Sequence, residues 1–434
     1  MTPDPAVAAA ARLDARLLTD DTAPVAVALS GGGDSVALLH MADSWARRMG
    51  RRLVALTVDH RLHPDSAGWT AAAGAHARAL GVPWTPLVWR RDKPMRGQAT
   101  AARRARHGLL AEAARAAGAR VILTGHTLDD RREAAWLRAQ GGTLGRLRDW
   151  SPSPVWPEGR GLMLLRPLID VARADLRAWL ASRGVAWLDD PANVDPVHPR
   201  ARARAAIAAG EAVAPEVLPP EPVPLVGVEA LPTGALGLPR TLDGRALAAA
   251  VVCVGGGEGT PRGDRLAGLA ARLTEPGADL VATLAGARII ARGARLLLVR
   301  ETGEWVRRGA PVASLSPGQP TVWDGRLEVT ATGHGGRLVP ARGRLARLRR
   351  EDRDALARWP AALRPAAPLI EDAGGDVRLA IRGATVEALV RRRFAMATGE
   401  TPHERDLCRP QDGAGAEGAL CLDDDGVPTP VEKS

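Results

Sequence analysis

The chain has 434 residues, more than one hydrophobic core usually organises, so two or three domains are expected. Its formal charge is +10, and only Lys93 and Lys433 are lysines among 59 basic residues, so 57 are Arg. That balance suits an anionic partner, and it equally suits a soluble chain with a strong Arg codon bias.

Three cysteines, Cys253, Cys408 and Cys421, exclude a disulfide scaffold and a four-cysteine zinc site, and point to a reducing, cytoplasmic setting. No apolar run reaches the roughly 18 residues of a membrane span, so no membrane partner is expected. The first residues, MTPDPAVAAAARLDARLL, lack a basic leader and read as a short helix. The nine His show no HExxH spacing. Twelve Trp stand beside one Phe, Phe394, and no Tyr.

In chain order, the first 210 residues alternate strands with helices. Strands are expected at Ala23 to Leu29, Arg52 to Val58, Trp84 to Val88, Arg120 to Thr124 and Leu162 to Leu165. Helices are expected after Ser35, over Ser66 to Leu80, Gln98 to Ala117, Asp129 to Ala139 and Ala172 to Arg183. This alternation predicts an α/β fold, a Rossmann-like parallel sheet with helices on both faces. Residues 146–161 and 189–200 read as polar, Pro-rich loops, followed by a short basic helix and a Pro-rich linker over 211–225.

A second, α+β unit follows. Asp243 to Val254 and Arg262 to Leu273 read as helices, and Leu280 to Leu284, Arg288 to Ala291 and Arg295 to Val299 as short strands. Gly255 to Gly257 read as a helix C-cap, not a second phosphate loop. Beyond 310, short strands mix with Arg-rich helices, and the last 30 residues are Gly/Asp/Pro-rich and read as a mobile tail.

The strongest motif is Ser30-Gly31-Gly32-Gly33-Asp34-Ser35, between a buried strand and a helix. Glycines let backbone N–H groups close on an anion, the helix adds its positive end, and the two Ser add hydroxyl donors. Asp34 repels phosphate and makes sense as a holder of Mg²⁺ beside it. The loop itself matches neither GxxxxGK[ST] nor GxGxxG. Asp59 and His60 close the second strand, on the side where open α/β sheets bind ligands. His126 closes the fourth, followed by Asp129, Asp130 and Glu133 on a helix start, able to bind Mg²⁺ or an ammonium group, or simply to cap the helix. Arg103 and Arg106, one turn apart, could grip phosphate or stand as solvated charges. Arg200, Arg202 and Arg204 read as a nucleic-acid patch.

The SGGGDS loop resembles that of the PP-loop ATP pyrophosphatases, and the rest of the pattern resembles bacterial tRNA(Ile)-lysidine synthetases. Four further segments carry this: VDHRLHPDS from Val58, ARRARH from Ala102, GHTLDDRRE from Gly125, and RPL from Arg166 with DPAN from Asp190. The likeness is firm over 23–209 and looser over 242–301. It implies ATP and Mg²⁺ as cofactors, with L-lysine and a CAU-anticodon tRNA(Ile) as partners. ATP would adenylate the C2 oxygen of the wobble cytidine, and the lysine ε-amine would then displace AMP. Asp34, His126, Asp129, Asp130 and Glu133 become catalytic candidates. Residues 30–35 with Asp59 and His60 become nucleotide candidates, and the five Arg above tRNA candidates.

With the pattern and linker read above, the expected domains are a PP-loop ATP-binding catalytic domain over 1–215, a small α+β domain over 226–305, a C-terminal region over 306–420 and a mobile tail over 421–434. The resemblance implies tRNA recognition for the second and tRNA binding for the third, and it leaves room for a homodimer. Thr127, Arg131, Ala134, His107, Arg61, Ala192 and Gly141 depart from the family's usual residues. The alternatives are another PP-loop tRNA-modifying or amidating ligase, or a non-catalytic RNA-binding protein. Residues 1–252 hold no Cys, which argues against a thiolating relative.

Overall fold

A computed structural model describes residues 4–90, 94, 96–142, 145–189, 195–213, 225–275 and 279–408. Two compact units emerge, Met1–Glu221 with Thr401–Arg409, and Pro222–Glu400 with Pro410–Ser434. The readings of a mobile tail and of the DPAN segment fall on residues outside those described.

The first unit is built on a six-stranded sheet. Helix α1 (Pro5–Arg16) precedes β1 (Val25–Ala28), α2 (Gly33–Met49), β2 (Leu53–Asp59), α3 (Ser66–Ala79) and β3 (Trp84–Val88). Then come α4 (Gln98–Ala116), β4 (Val121–Leu123), α5 (Leu128–Ala139), β5 (Trp150–Pro152), β6 (Met163–Leu165), α6 (Arg173–Ala181) and α7 (Pro199–Ala208). The strand order is β3-β2-β1-β4-β6-β5. All neighbours are parallel except β5, which runs antiparallel to β6. The parallel α/β expectation holds. The loop expected over 146–161 is corrected in part, because Trp150 to Pro152 pair with Leu165 to Met163.

Both edge strands contain proline, Pro86 in β3 and Pro152 in β5. Proline has no N–H to donate, so it is tolerated at an edge and breaks the ladder elsewhere. The central strands are apolar on both faces, as burial by helices on each side demands. Ala26, Leu56, Ile122 and Leu164 pack against Leu110, Ala111 and Ala114 of α4. On α2, Val36 to Leu39 are fully buried.

The second unit opens with β7 (Glu229–Leu231), β8 (Ala235–Pro239), α8 (Gly244–Gly255), α9 (Gly263–Thr274), β9 (Leu280–Leu284), β10 (Ala287–Arg292) and β11 (Arg295–Arg300). These strands form one antiparallel sheet ordered β7-β8-β11-β10-β9. Asp243 caps α8 through the Ala246 N–H, and Gly256 ends it in the left-handed conformation, as the sequence suggested.

The unit continues through α10 (Glu304–Arg308), β12 (Ala313–Leu315), β13 (Thr321–Trp323), β14 (Leu327–Ala331), β15 (Gly336–Pro340), α11 (Arg350–Ala357), β16 (Pro368–Glu371), β17 (Val377–Leu379), β18 (Ala384–Ala388) and α12 (Val390–Thr398). Two further sheets, β12-β15-β16-β17 and β13-β14-β18, are antiparallel throughout. The last described helix, α13 (Glu404–Cys408), belongs to the first unit. No described helix is long and apolar enough to cross a membrane.

Candidate active site

Strand β1 has β2 on one side and β4 on the other, so the chain runs outward in both directions from the β1–β4 pair. Such a reversal opens a crevice beyond the strand ends, where ligands bind in open α/β sheets. The segments after β1 and β4 are the glycine loop and the GHTLDD segment, so topology alone brings the two motifs together.

The loop is drawn tight by its serines. Ser35 Oγ accepts from the Ser30 N–H at 3.1 Å, lies 3.0 Å from Ser30 Oγ, and donates to the Gly32 carbonyl at 2.9 Å. Gly31 has φ +86°, and a Cβ there would stand 2.9 Å from Leu188 Cδ1, so only glycine fits. Gly125, after β4, needs the same economy: a Cβ there would meet the Asp34 carbonyl and the Ser35 nitrogen at 3.0–3.1 Å. The two motifs are therefore in backbone contact.

Helix α5 starts on a capping box. Thr127 accepts from the Asp130 N–H, and Asp130 Oδ2 accepts from the Thr127 N–H at 2.9 Å and from Thr127 Oγ1 at 3.0 Å. The capping acid is thus Asp130. Asp129 instead accepts from the Arg173 backbone N–H at 2.7 Å.

Arg173, at the start of α6, joins the two motifs. Its Nε donates to Asp34 Oδ2 at 3.0 Å, its Nη1 to Glu133 Oε1 at 3.2 Å, and its Nη2 lies 3.5 Å from Asp130 Oδ2. Arg200 Nη1 donates to Asp130 Oδ1 at 2.8 Å and Arg204 Nε to Glu133 Oε1 at 2.6 Å. Two of the three expected RNA-patch arginines therefore face the acidic cluster. Arg202 instead donates to the carbonyls of Pro196 and Val197.

Electrostatics separates the carboxylates. Burial pushes the Asp34 carboxyl up, against the pull of Arg173 and with a further push from Asp130. For Asp130, burial is outweighed by His126, Arg200, the Thr127 N–H and Arg173, which hold it below the ordinary carboxylate range. Glu133 is 1% exposed, and its Oε2 has no hydrogen-bond partner among the described residues.

A basic pocket lies beside these acids. His60, Ala99, Ala102, Arg103 and Arg106 line a cavity of about 280 Å³. Burial, then the charges of Arg103 and Arg200, lowers Arg106 to about 10. Burial and Arg166 bring His126 to about 3, so it is neutral at pH 7 and pairs with Thr124 Oγ1 at 3.0 Å. His107 also falls to about 3, chiefly through burial, and its Nε2 is without a partner among the described residues. The buried guanidinium of Arg106, with Arg103 beside it, favours an anion in this cavity.

Asp59 Oδ1 accepts from the Arg61 N–H at 2.8 Å and so shapes the turn, while His60 reaches the cavity edge-on to Trp89. Arg61 adopts φ +51°, a left-handed conformation that favours the glycine of the usual family pattern.

Among the described residues no three His, Cys, Asp or Glu side chains group as a metal cage. Mg²⁺ makes a smaller demand, one or two carboxylates plus substrate phosphates, and Asp34 on the first turn of α2 fits it. The residue that sequence reasoning missed is Arg173. It lies seven positions after Arg166 of the RPL segment, and nothing local distinguishes it from other helix-start arginines.

Residues 5–210 match the PP-loop domain family. The chain is 48% identical over 400 residues to a tRNA(Ile)-lysidine synthase of Caulobacter vibrioides, covering 90% of this chain and 96% of that one. It is 37% identical to that of Hyphomonas neptunium, over 68% of this chain and 86% of the relative. For Rhizobium meliloti the identity is 33%, over 71% and 73%. Matched over 90% of its length, and over 96% of the relative's, by a tRNA(Ile)-lysidine synthase at 48% identity, the chain belongs to the tRNA(Ile)-lysidine synthase family of PP-loop proteins.

Proposed function

We propose that this protein ligates L-lysine to C2 of the wobble cytidine in a CAU-anticodon tRNA(Ile), at the expense of ATP. The observation that supports this most directly is the meeting of the glycine loop with Asp34, Asp130 and Glu133 around Arg173 at the β1–β4 crevice. Phosphates of ATP rest on the backbone N–H groups of residues 30–35 and the start of α2. Asp34 would hold Mg²⁺ there, and bound Mg²⁺ neutralises charge developing at the α-phosphate.

The cytidine C2 oxygen attacks the α-phosphorus and pyrophosphate leaves. The lysine ε-amine then attacks C2 and AMP leaves. Asp130 and Glu133 bind and orient the lysine, and a carboxylate accepts the proton that the amine must lose. Glu133 Oε2, buried and without a donor among the described residues, is the best placed for that proton. Arg103 and Arg106 in the basic pocket supply cationic contacts to the adenylate or the tRNA backbone.

The test is incorporation of labelled lysine into CAU-anticodon tRNA(Ile) with ATP and Mg²⁺. Label should appear with stoichiometric AMP, and Asp34→Ala should lower the rate on the order of 100-fold or more, as loss of a transition-state charge contact does. No label on tRNA, with ATP turned over on another substrate, sinks the proposal.

A further inference from the structure

We propose that Arg173 is a positioning residue that holds the acidic cluster closed until nucleotide binds, and thereby couples the two small substrates. This rests on the assignment of ATP to the loop and of lysine to Asp130 and Glu133.

Three nitrogens of one guanidinium face three carboxylates, Asp34 on α2 and Asp130 and Glu133 on α5. The planar fork of Arg can satisfy several acceptors at once in a way an ammonium cannot. Its main chain is pinned separately, through the N–H bond to Asp129, so the side chain can move while the helix start stays fixed. The guanidinium sits on the acids that an arriving lysine ammonium needs, and two cations do not share that space cheaply.

Nucleotide phosphates on the loop place several negative charges at the Asp34 end of this bridge. They draw Arg173 toward themselves and away from Glu133 and Asp130. The acids then keep partial compensation, because Arg200 stays on Asp130 and Arg204 on Glu133. Glu133 Oε2 is already a buried acceptor unfilled by any described residue, ready for a further donor. Nucleotide should therefore tighten lysine binding, and by linkage lysine should tighten nucleotide binding equally.

Calorimetric titration of the full chain with lysine, alone and with Mg²⁺ and a non-hydrolysable ATP analogue, measures the coupling. In the wild type the analogue should lower the lysine Kd at least about 5-fold, the low end of typical allosteric coupling. Arg173→Met, close in length and uncharged, should bind lysine without nucleotide at least as tightly as wild type. Its coupling should shrink to within about two-fold, well under the usual range. Arg173→Lys keeps the charge without the fork and should show intermediate coupling, which decides the matter if the Met variant melts early.

A merely structural role would weaken both affinities and leave their ratio intact. An unmoved wild-type Kd, or full coupling in either variant, overturns the proposal. Lysine that binds without coupling overturns the role of Arg173 alone, whereas lysine that never binds overturns the proposed function with it.

Discussion

Among the described residues, Glu133 takes two arginines on one oxygen and none on the other. A carboxylate so arranged is held in place by its partners and still open to a donor. Glu133→Gln keeps the shape and removes the charge, so lysine should lose a charge-assisted contact, about 1.5–3 kcal/mol, or a lysine KM raised roughly 10- to 100-fold. The KM for ATP should hardly move, and a steady-state comparison of the two checks this.

Asp34 makes the opposite statement about stability. Its pKa in the folded chain is raised, chiefly by burial. Between its unfolded value and that raised value the folded state binds more protons, so stability falls as pH rises through this window. Above it, the ionised carboxylate is a standing cost to the folded state. Asp34→Asn should therefore melt no lower than wild type at pH 7, with the difference shrinking below about pH 4, the ordinary carboxylate range. A melting point several degrees lower at pH 7 would refute that reading.

At the scale of elements, the start of α5 does two tasks with one residue pair. Thr127 and Asp130 cap the helix, and the same bonds aim Asp130 into the cluster. Thr127→Val keeps the volume and deletes the hydroxyl, which should cost roughly 1 kcal/mol of stability. It should also raise the lysine KM, while Thr127→Ser restores both; thermal melts and initial rates read the two effects.

The helices of the first unit were legible because their periodicity and caps are local. Strand β5 was not. Trp-Ser-Pro has no alternation, and its proline reads as a break until β6 offers it an edge to lie on. The loop and the acids were legible by residue type and spacing. Their common bridge was not, because Arg173 reaches Asp34 across 139 positions of chain. Among so many arginines, only tertiary contact distinguishes one. The same contacts revise the basic stripe at 200–204: Arg200 and Arg204 face Asp130 and Glu133, a pairing no patch of charge announces.

At the scale of the molecule, the first unit is not one continuous stretch of chain. Residues 401–409, far beyond the linker and within the region expected to bind tRNA, return to it. Glu404 anchors the return with its side chain fully buried. Its Oε2 accepts from the Leu18 N–H at 2.9 Å and from Arg51 Nη1 at 3.0 Å, and its Oε1 from Arg51 Nη2 at 3.0 Å. Arg51 is equally buried and also donates to the carbonyls of Leu18 and Ala23. Around this pair, Arg16 donates to the Pro402 carbonyl and Trp150 to that of Thr401.

Removing one partner of such a pair strands a charge in the interior, at a cost of about 3–5 kcal/mol. Glu404→Ala should therefore lower the melting point of the first unit by roughly 10 °C. Glu404→Gln keeps the acceptor oxygen and should lose less. The same reasoning predicts that a chain cut after Glu400 melts like Glu404→Ala or worse, even though every residue from 1 to 221 is still present. Melting all three against the full chain, with nucleotide protection to mark the first unit's transition, decides it. A cut chain as stable as the whole would mean that the return of α13 rests on the surface and contributes nothing to the fold that carries the loop.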